Sequence, residues 1–138
     1  MALEFFLYRS SGRFDRFDAD CDEIIEIARK RNAELNLTGF LHCEDGMFFQ
    51  WLEGEAEPLA TVRAAIERDP RHSGVKVMME GLLEAREFPA WSMFRSTRTE
   101  GSLLEWVASR EISLRDPLVY GQSLLDFMRH ICPQSRTA

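Results

Sequence analysis

Three polar side chains sit where hydrocarbon is expected. Gln50 interrupts Phe48-Phe49-Gln50-Trp51-Leu52, the most apolar run of the chain. Asn32 follows Ala28 by four residues and Ile25 by seven, which places it on the apolar stripe of a helical repeat. Tyr8 brings a phenol to LEFFLYR, an aromatic-rich segment with the character of a strand. A buried amide or phenol needs a hydrogen-bond partner. Asn and Gln each offer a donor and an acceptor, the complement of a flat heterocycle with alternating carbonyl and N–H groups. A hydrogen-bonded core cluster would satisfy the same three side chains without a ligand. No nucleophile–base pair accompanies them, so these residues suit binding and hydrogen-bond exchange better than turnover of a substrate.

The elements that must position them follow from period and punctuation. Residues 3–9 read as a strand ending at Ser10-Ser11-Gly12, and Ile24, Ile25, Ala28 and Leu35 mark a helix over 20–34, with Asp18 or Asp20 as its cap. Residues 37–43 and 47–53 flank Glu44-Asp45-Gly46, and Asp-Gly supplies the positive φ angles of a tight hairpin. Leu59, Val62 and Ile66 share one face of a second helix, which Asp69-Pro70 stops. Segments 74–83 and 91–97 complete the order βαββαββ. The fold class is α+β, a ferredoxin-like sandwich with two helices on one sheet face. The tail past about residue 102 reads as two short helices, interrupted near Asp116-Pro117.

Strand parity gives that tail a role. Leu3, Phe5 and Leu7 lie on one side of the first strand, and Phe6 and Tyr8 on the other. Met47, Phe49 and Trp51 likewise oppose Phe48, Gln50 and Leu52. Both faces are apolar, and two crossover helices cover only one. The expectation is that the C-terminal helices cover the second face, with a homo-oligomer contributing.

Composition narrows the partners. The chain has 138 residues, with 17 Lys+Arg against 23 Asp+Glu and a net charge of −6. That balance disfavours nucleic acid and anionic membranes as partners, and no apolar run reaches the ~20 residues a membrane span needs. A cytoplasmic protein with reduced thiols at Cys21, Cys43 and Cys132 is the expectation. His42-Cys43 and His130-x-Cys132 lack zinc-ligand spacing, so no metal site is expected. Arg29-Lys30-Arg31 reads as the solvated side of the first helix, and Glu53-Gly54-Glu55 as the rim after a strand.

Tyr8 in LYRSS, Asn32 upstream of LTGFL, DGMFFQWLEGE, RDPRH at 68–72 and FPAWSM at 88–93 together resemble the BLUF family of flavin-binding blue-light sensors. The likeness spans about residues 1–97, read as the flavin-binding domain, with 98–138 as a helical extension. It implies the same ferredoxin-like fold, with the ring of FAD, or of FMN or riboflavin, between the two helices. It implies Tyr8 as electron and proton donor to the photoexcited flavin, Gln50 as the bridge from that tyrosine to the ring, and Asn32 as an anchor of the pyrimidine edge. Ile24, Phe48 and Ile66 match ring-packing positions. Asp69, Arg71 and His72 match positions near the polar edge and side chain of the flavin, and Trp91 and Met93 match a switch pair on the last strand. Arg31 and Ala65 depart from the pattern, which at these positions often has an asparagine and a polar residue facing the ligand.

The function expected from the resemblance is a non-enzymatic photoreceptor that signals to a separate downstream protein. The alternatives are a light-independent interaction module that has lost flavin and, on the same fold, a small hydrolase.

Overall fold

The computed structural model describes residues 2–133; the last residues assigned to the tail, 134–138, lie outside the described residues. The chain runs β1 (Leu3–Gly12), a single 3-10 turn (Phe14–Arg16), α1 (Phe17–Leu35), β2 (Thr38–Glu44), β3 (Met47–Glu55), α2 (Ala56–Arg68), β4 (His72–Leu83), β5 (Phe94–Thr97), α3 (Leu103–Ser109) and α4 (Pro117–Ile131). One five-stranded sheet forms in the order β4-β1-β3-β2-β5. All pairs are antiparallel except β2 with β5. The βαββαββ order and the two tail helices are those expected.

The β2–β3 hairpin turns at Asp45 and Gly46, with φ of 50° and 80°, the left-handed pair that a two-residue hairpin turn demands. Helix α1 ends on Asn36 in the left-handed conformation, where the Leu37 N–H returns to the Asn32 carbonyl at 2.8 Å. It begins at Phe17, earlier than the pattern suggests, and no side chain caps it. Asp20 lies inside the first turn instead, fully buried against the guanidinium of Arg13.

Strand alternation divides the core in two. Phe6, Tyr8, Phe48 and Leu52 pack with Ile25 and Ala28 of α1 and Leu59, Val62 and Ile66 of α2. On the opposite face Leu7, Phe49 and Trp51 pack with Leu103 and Val107 of α3 and Leu124, Phe127 and Met128 of α4. The tail therefore covers the second face within the same chain. Trp51 is 1% exposed, and burying an aromatic of that size is worth roughly 1.5–3 kcal/mol.

Four expectations are corrected by tertiary context. Cys21 and Cys43 form a disulfide, because α1 lies over β2 and brings Cα atoms 22 residues apart in sequence to 6.9 Å. The last strand starts at Phe94, not residue 91, since Trp91 and Ser92 precede the β2–β5 pairing. Glu53 is no rim residue: it is fully buried and accepts from Thr38 Oγ1, Trp51 Nε1 and the backbone N–H groups of Glu87 and Phe88 at 2.6–2.9 Å. The basic run is not uniformly solvated either, for Arg29 donates to the Met93 carbonyl at 3.1 Å and Arg31 turns inward.

Candidate functional site

Tyr8 and Gln50 are directly opposed in the β1–β3 register, so their side chains rise together from the centre of the sheet toward α1 and α2. The Tyr8 hydroxyl donates to Gln50 Oε1. The other end of the amide, Nε2, donates to Met93 Sδ at 3.8 Å. One amide thus links the phenol to the residue just before β5. All three side chains are at most 3% exposed.

Above this pair a narrow crevice with a cavity volume of about 30 Å³ runs between the helices. Ile24 and Ile27 line it from α1, Ala65 and Ile66 from α2, and Leu41 and Phe48 from the hairpin. At its polar edge stand Arg31, Asp69, Arg71 and His72. Asp69 receives the Arg71 guanidinium on both oxygens and its backbone N–H on one, at 2.8–3.2 Å. Although partial burial pushes the Asp69 carboxyl upward, these bonds to Arg71 hold it below its ordinary value. His72 Nε2 donates to the Ile66 carbonyl at 2.8 Å, which leaves Nδ1 to accept from the Ser10 hydroxyl at 2.7 Å. Burial raises the Tyr8 phenol well above its ordinary value, Arg31 opposing and Asp69 adding to the rise. Tyr8 is therefore a neutral O–H donor at physiological pH.

Of the binding positions picked out in the sequence, Tyr8, Ile24, Phe48, Gln50, Ile66, Asp69, Arg71 and His72 all line this crevice. Asn32 is not part of that lining: it is fully buried, with Nδ2 donating to the Ser92 carbonyl at 2.8 Å and Oδ1 left without a partner among the described residues. Met93 points into the sheet face that holds the crevice, whereas Trp91 packs edge-on against Phe94 with the tail-side core. Arg31 is the crevice residue that the sequence pattern assigned to solvent. Its departure from the family pattern was the available signal.

The chemistry of this lining suits a planar heterocycle. The crevice has apolar walls, a phenol and an amide at its floor, and a buried Arg31 Nε without a partner among the described residues; Asn32 Oδ1, outside that lining, is likewise unpartnered. Among the described residues no group of three or more His, Cys, Asp or Glu could hold a metal ion, and no helix is long and apolar enough to cross a membrane.

A ferredoxin-like sheet carrying a tyrosine–glutamine pair below a crevice between two helices has the form of a small α+β ligand-binding module. A family model described as BLUF, sensors of blue-light using FAD, matches residues 3–94. The chain belongs to the BLUF family. It is 34% identical over 79 residues to the photoactivated adenylate cyclase subunit beta of Euglena longa, a match covering 56% of this chain and 9% of that protein. It is 35% identical over 82 residues to the blue light- and temperature-regulated antirepressor BluF of Escherichia coli (strain K12), covering 59% of this chain and 20% of the relative. The chain thus spans only a small part of either curated relative. The solved dark-state structure of BlrB, a BLUF protein, superposes with a TM-score of 0.74 at 26% identity, covering 91% of this chain and 97% of BlrB. The ground state of BlsA gives a TM-score of 0.80 over 99% of this chain at 24% identity, a likeness of fold.

Proposed function

We propose that this chain is a blue-light photoreceptor holding a noncovalent flavin, FAD by preference, in the crevice between α1 and α2. The observation that carries the reading is the hydrogen-bonded series Tyr8–Gln50–Met93 at the crevice floor. A flavin held there would supply blue-light absorption and an excited state able to accept an electron. Tyr8 would supply that electron and its hydroxyl proton and recover both on recombination within the site, so no net oxidation results. Gln50 then changes its orientation or tautomer, because the two ends of an amide exchange donor and acceptor roles at small structural cost. Ile24, Phe48 and Ile66 pack the ring, Asn32 anchors its pyrimidine edge through Oδ1, and Asp69, Arg71 and His72 hold the polar edge and side chain. No substrate is turned over.

Residues 1–97 serve as the flavin-binding domain and 98–138 as the output extension. Met93 bonds to Gln50, and Trp91 two residues earlier packs with the tail-side core, which supports this segment as the output path. The partner is a separate protein. Leu114, Leu118 and Val119 of the tail, 52%, 67% and 44% exposed, support a docking surface there. Light-dependent change of a homo-oligomer is the second form that output takes, and light scattering of dark and illuminated samples reads it.

The test is a light-minus-dark absorption spectrum of the purified protein beside Tyr8→Phe and Gln50→Leu, with the released flavin identified by chromatography. The wild type is expected to be yellow and to red-shift reversibly, and both variants to lose the shift. Intact photocycling in both variants overturns the mechanism, and a colourless wild type that takes up no flavin overturns the function.

A further inference from the structure

Helix α1 starts without a side-chain cap among the described residues, and one of the ties on its first turns is covalent: Cys21 is joined to Cys43 of β2. Both ends of that tie adjoin the crevice. Cys21 stands one turn before Ile24, and Cys43 is paired in the β2–β3 register with Phe48; Ile24 and Phe48 line the crevice. The bond is also open to approach from elsewhere. Cys21 and Cys43 line a separate, wider hollow of about 460 Å³ bounded by α1, the β2–β3 turn and β5 with the residues just after it. Arg95 on Asp22 at 2.5 Å and Arg98 on Asp45 at 3.2 Å share its lining, and ion pairs this exposed part at little cost. A disulfide kept only for stability gains nothing from such an approach. Disulfides of that kind carry small domains that fail to build a core, whereas this chain buries two. Cys132, the third cysteine, belongs to the core across the sheet, so exchange at the pair calls for a thiol from outside the chain.

We propose that the Cys21–Cys43 bond is a redox clasp on the crevice: a dithiol reductant opens it through the hollow, and the release of α1 from β2 weakens retention of the flavin. A thiolate of the dithiol attacks one cysteine sulfur, forming a mixed disulfide and expelling the other cysteine as a thiolate. The second thiol of the reductant then attacks the mixed disulfide, closing the reductant's own disulfide and freeing the second cysteine. The protein gains two electrons and two protons, and the dithiol loses them. The oxidised reagent reverses the step. The inference rests on the reading of the crevice as a flavin site and adds a chemical input to that of light.

The experiment loads the protein with FAD or FMN in the dark and equilibrates it with reduced or oxidised dithiothreitol. Maleimide labelling without denaturant counts thiols, the return of flavin fluorescence on dilution reads retention, and amide hydrogen exchange reads α1. Reduction is expected to expose two further thiols, to weaken flavin binding about fivefold or more, and to speed exchange in the first turns of α1. Cys21→Ser/Cys43→Ser should hold flavin as the reduced wild type does and ignore the reagent, while Cys132→Ser should respond as the wild type. Circular dichroism reports the fold of each variant. Thiols that appear only in denaturant, or flavin retention equal in the oxidised and reduced protein, overturn the inference and leave the flavin reading intact. Exchange that quickens in β1 as much as in α1 assigns the bond to general stability and overturns it as well. A wild type that takes up neither flavin in either state takes down the crevice reading, and this inference with it.

Discussion

Replacing Glu53 by alanine should destabilise the fold far more than the loss of a rim carboxylate would. Its two oxygens accept from Thr38 Oγ1 at 2.6 Å, Trp51 Nε1 at 2.9 Å, Glu87 N at 2.8 Å and Phe88 N at 2.9 Å. Truncation leaves those donors in a buried space. A typical net hydrogen bond is worth ~1 kcal/mol, and a donor left unsatisfied costs ~1–3 kcal/mol. Thr38 can turn its hydroxyl elsewhere, but the indole and the two backbone N–H groups cannot, so about 4 kcal/mol is the expected loss once partial relaxation is allowed. That is a large part of the ~5–15 kcal/mol that holds a domain folded. Glu53→Gln keeps one acceptor oxygen and points an NH2 at the remaining donors, for a loss of about 2 kcal/mol. Equilibrium urea unfolding reads both. With an m value of ~2 kcal/mol/M, the midpoint should fall by about 2 M for alanine and about 1 M for glutamine. A drop under ~0.5 M for Glu53→Ala at unchanged m would refute the assignment of four buried bonds to this carboxylate.

The remaining predictions concern acid and thiols. Burial holds the His42 imidazole below its ordinary 6.5, outweighing the raising pull of Glu44. The neutral ring donates from Nε2 to Glu44 Oε1 at 2.8 Å and accepts at Nδ1 from Ser96 at 2.6 Å. Since the folded value is depressed, the unfolded chain binds the extra proton first, and stability should decline as pH falls below 6.5, at up to about 1.4 kcal/mol per unit. Stability curves against pH should lose this limb in His42→Gln, and a wild type that is flat between neutrality and pH ~5.5 would contradict it. Burial raises the Glu44 carboxyl, but bonds from His42, the Leu103 N–H and Ser102 bring it net below its ordinary 4.5, so a second decline should open below that value and shrink in the His42 variant, which removes the largest of those bonds. Breaking the Cys21–Cys43 bond, which closes a separation of 22 residues, should cost about 3 kcal/mol through the freedom restored to the unfolded chain. The thiol count in denaturant should rise by two on reduction, and reductant should lower the melting midpoint of the wild type but not of Cys21→Ser/Cys43→Ser; an unchanged count would show that the two sulfurs are not joined.

Legibility in the sequence tracked how local each cause is. Alternation along LEFFLYR and MFFQWLE was enough to put Tyr8 and Gln50 on one face and Leu7 and Trp51 on the other, because a strand offers only two directions. Asp45-Gly46 announced the hairpin for an equally local reason. Charged residues were harder, since their place depends on partners distant in the chain. Glu53 is buried by a loop that returns 34 residues later, and Arg31 lines a crevice formed only when the two helices meet over the sheet, neither of which leaves a periodic trace. The pairing of Cys21 with Cys43 leaves no mark in the sequence, because only the docking of α1 on β2 brings the two together. Asn32 was legible as buried but not as standing outside the crevice lining, with its Nδ2 held by the Ser92 carbonyl 60 residues on.

Gln50 and Trp51 are consecutive residues of the central strand, yet they inhabit different compartments of the molecule. The chamber between α1 and α2 and the seat of the tail helices therefore share a party wall one peptide thick. Mutations that reshape one tenant need not touch the other. An engineer could regraft the covering helices to suit a new client while leaving the chamber floor, residue by residue, as it is.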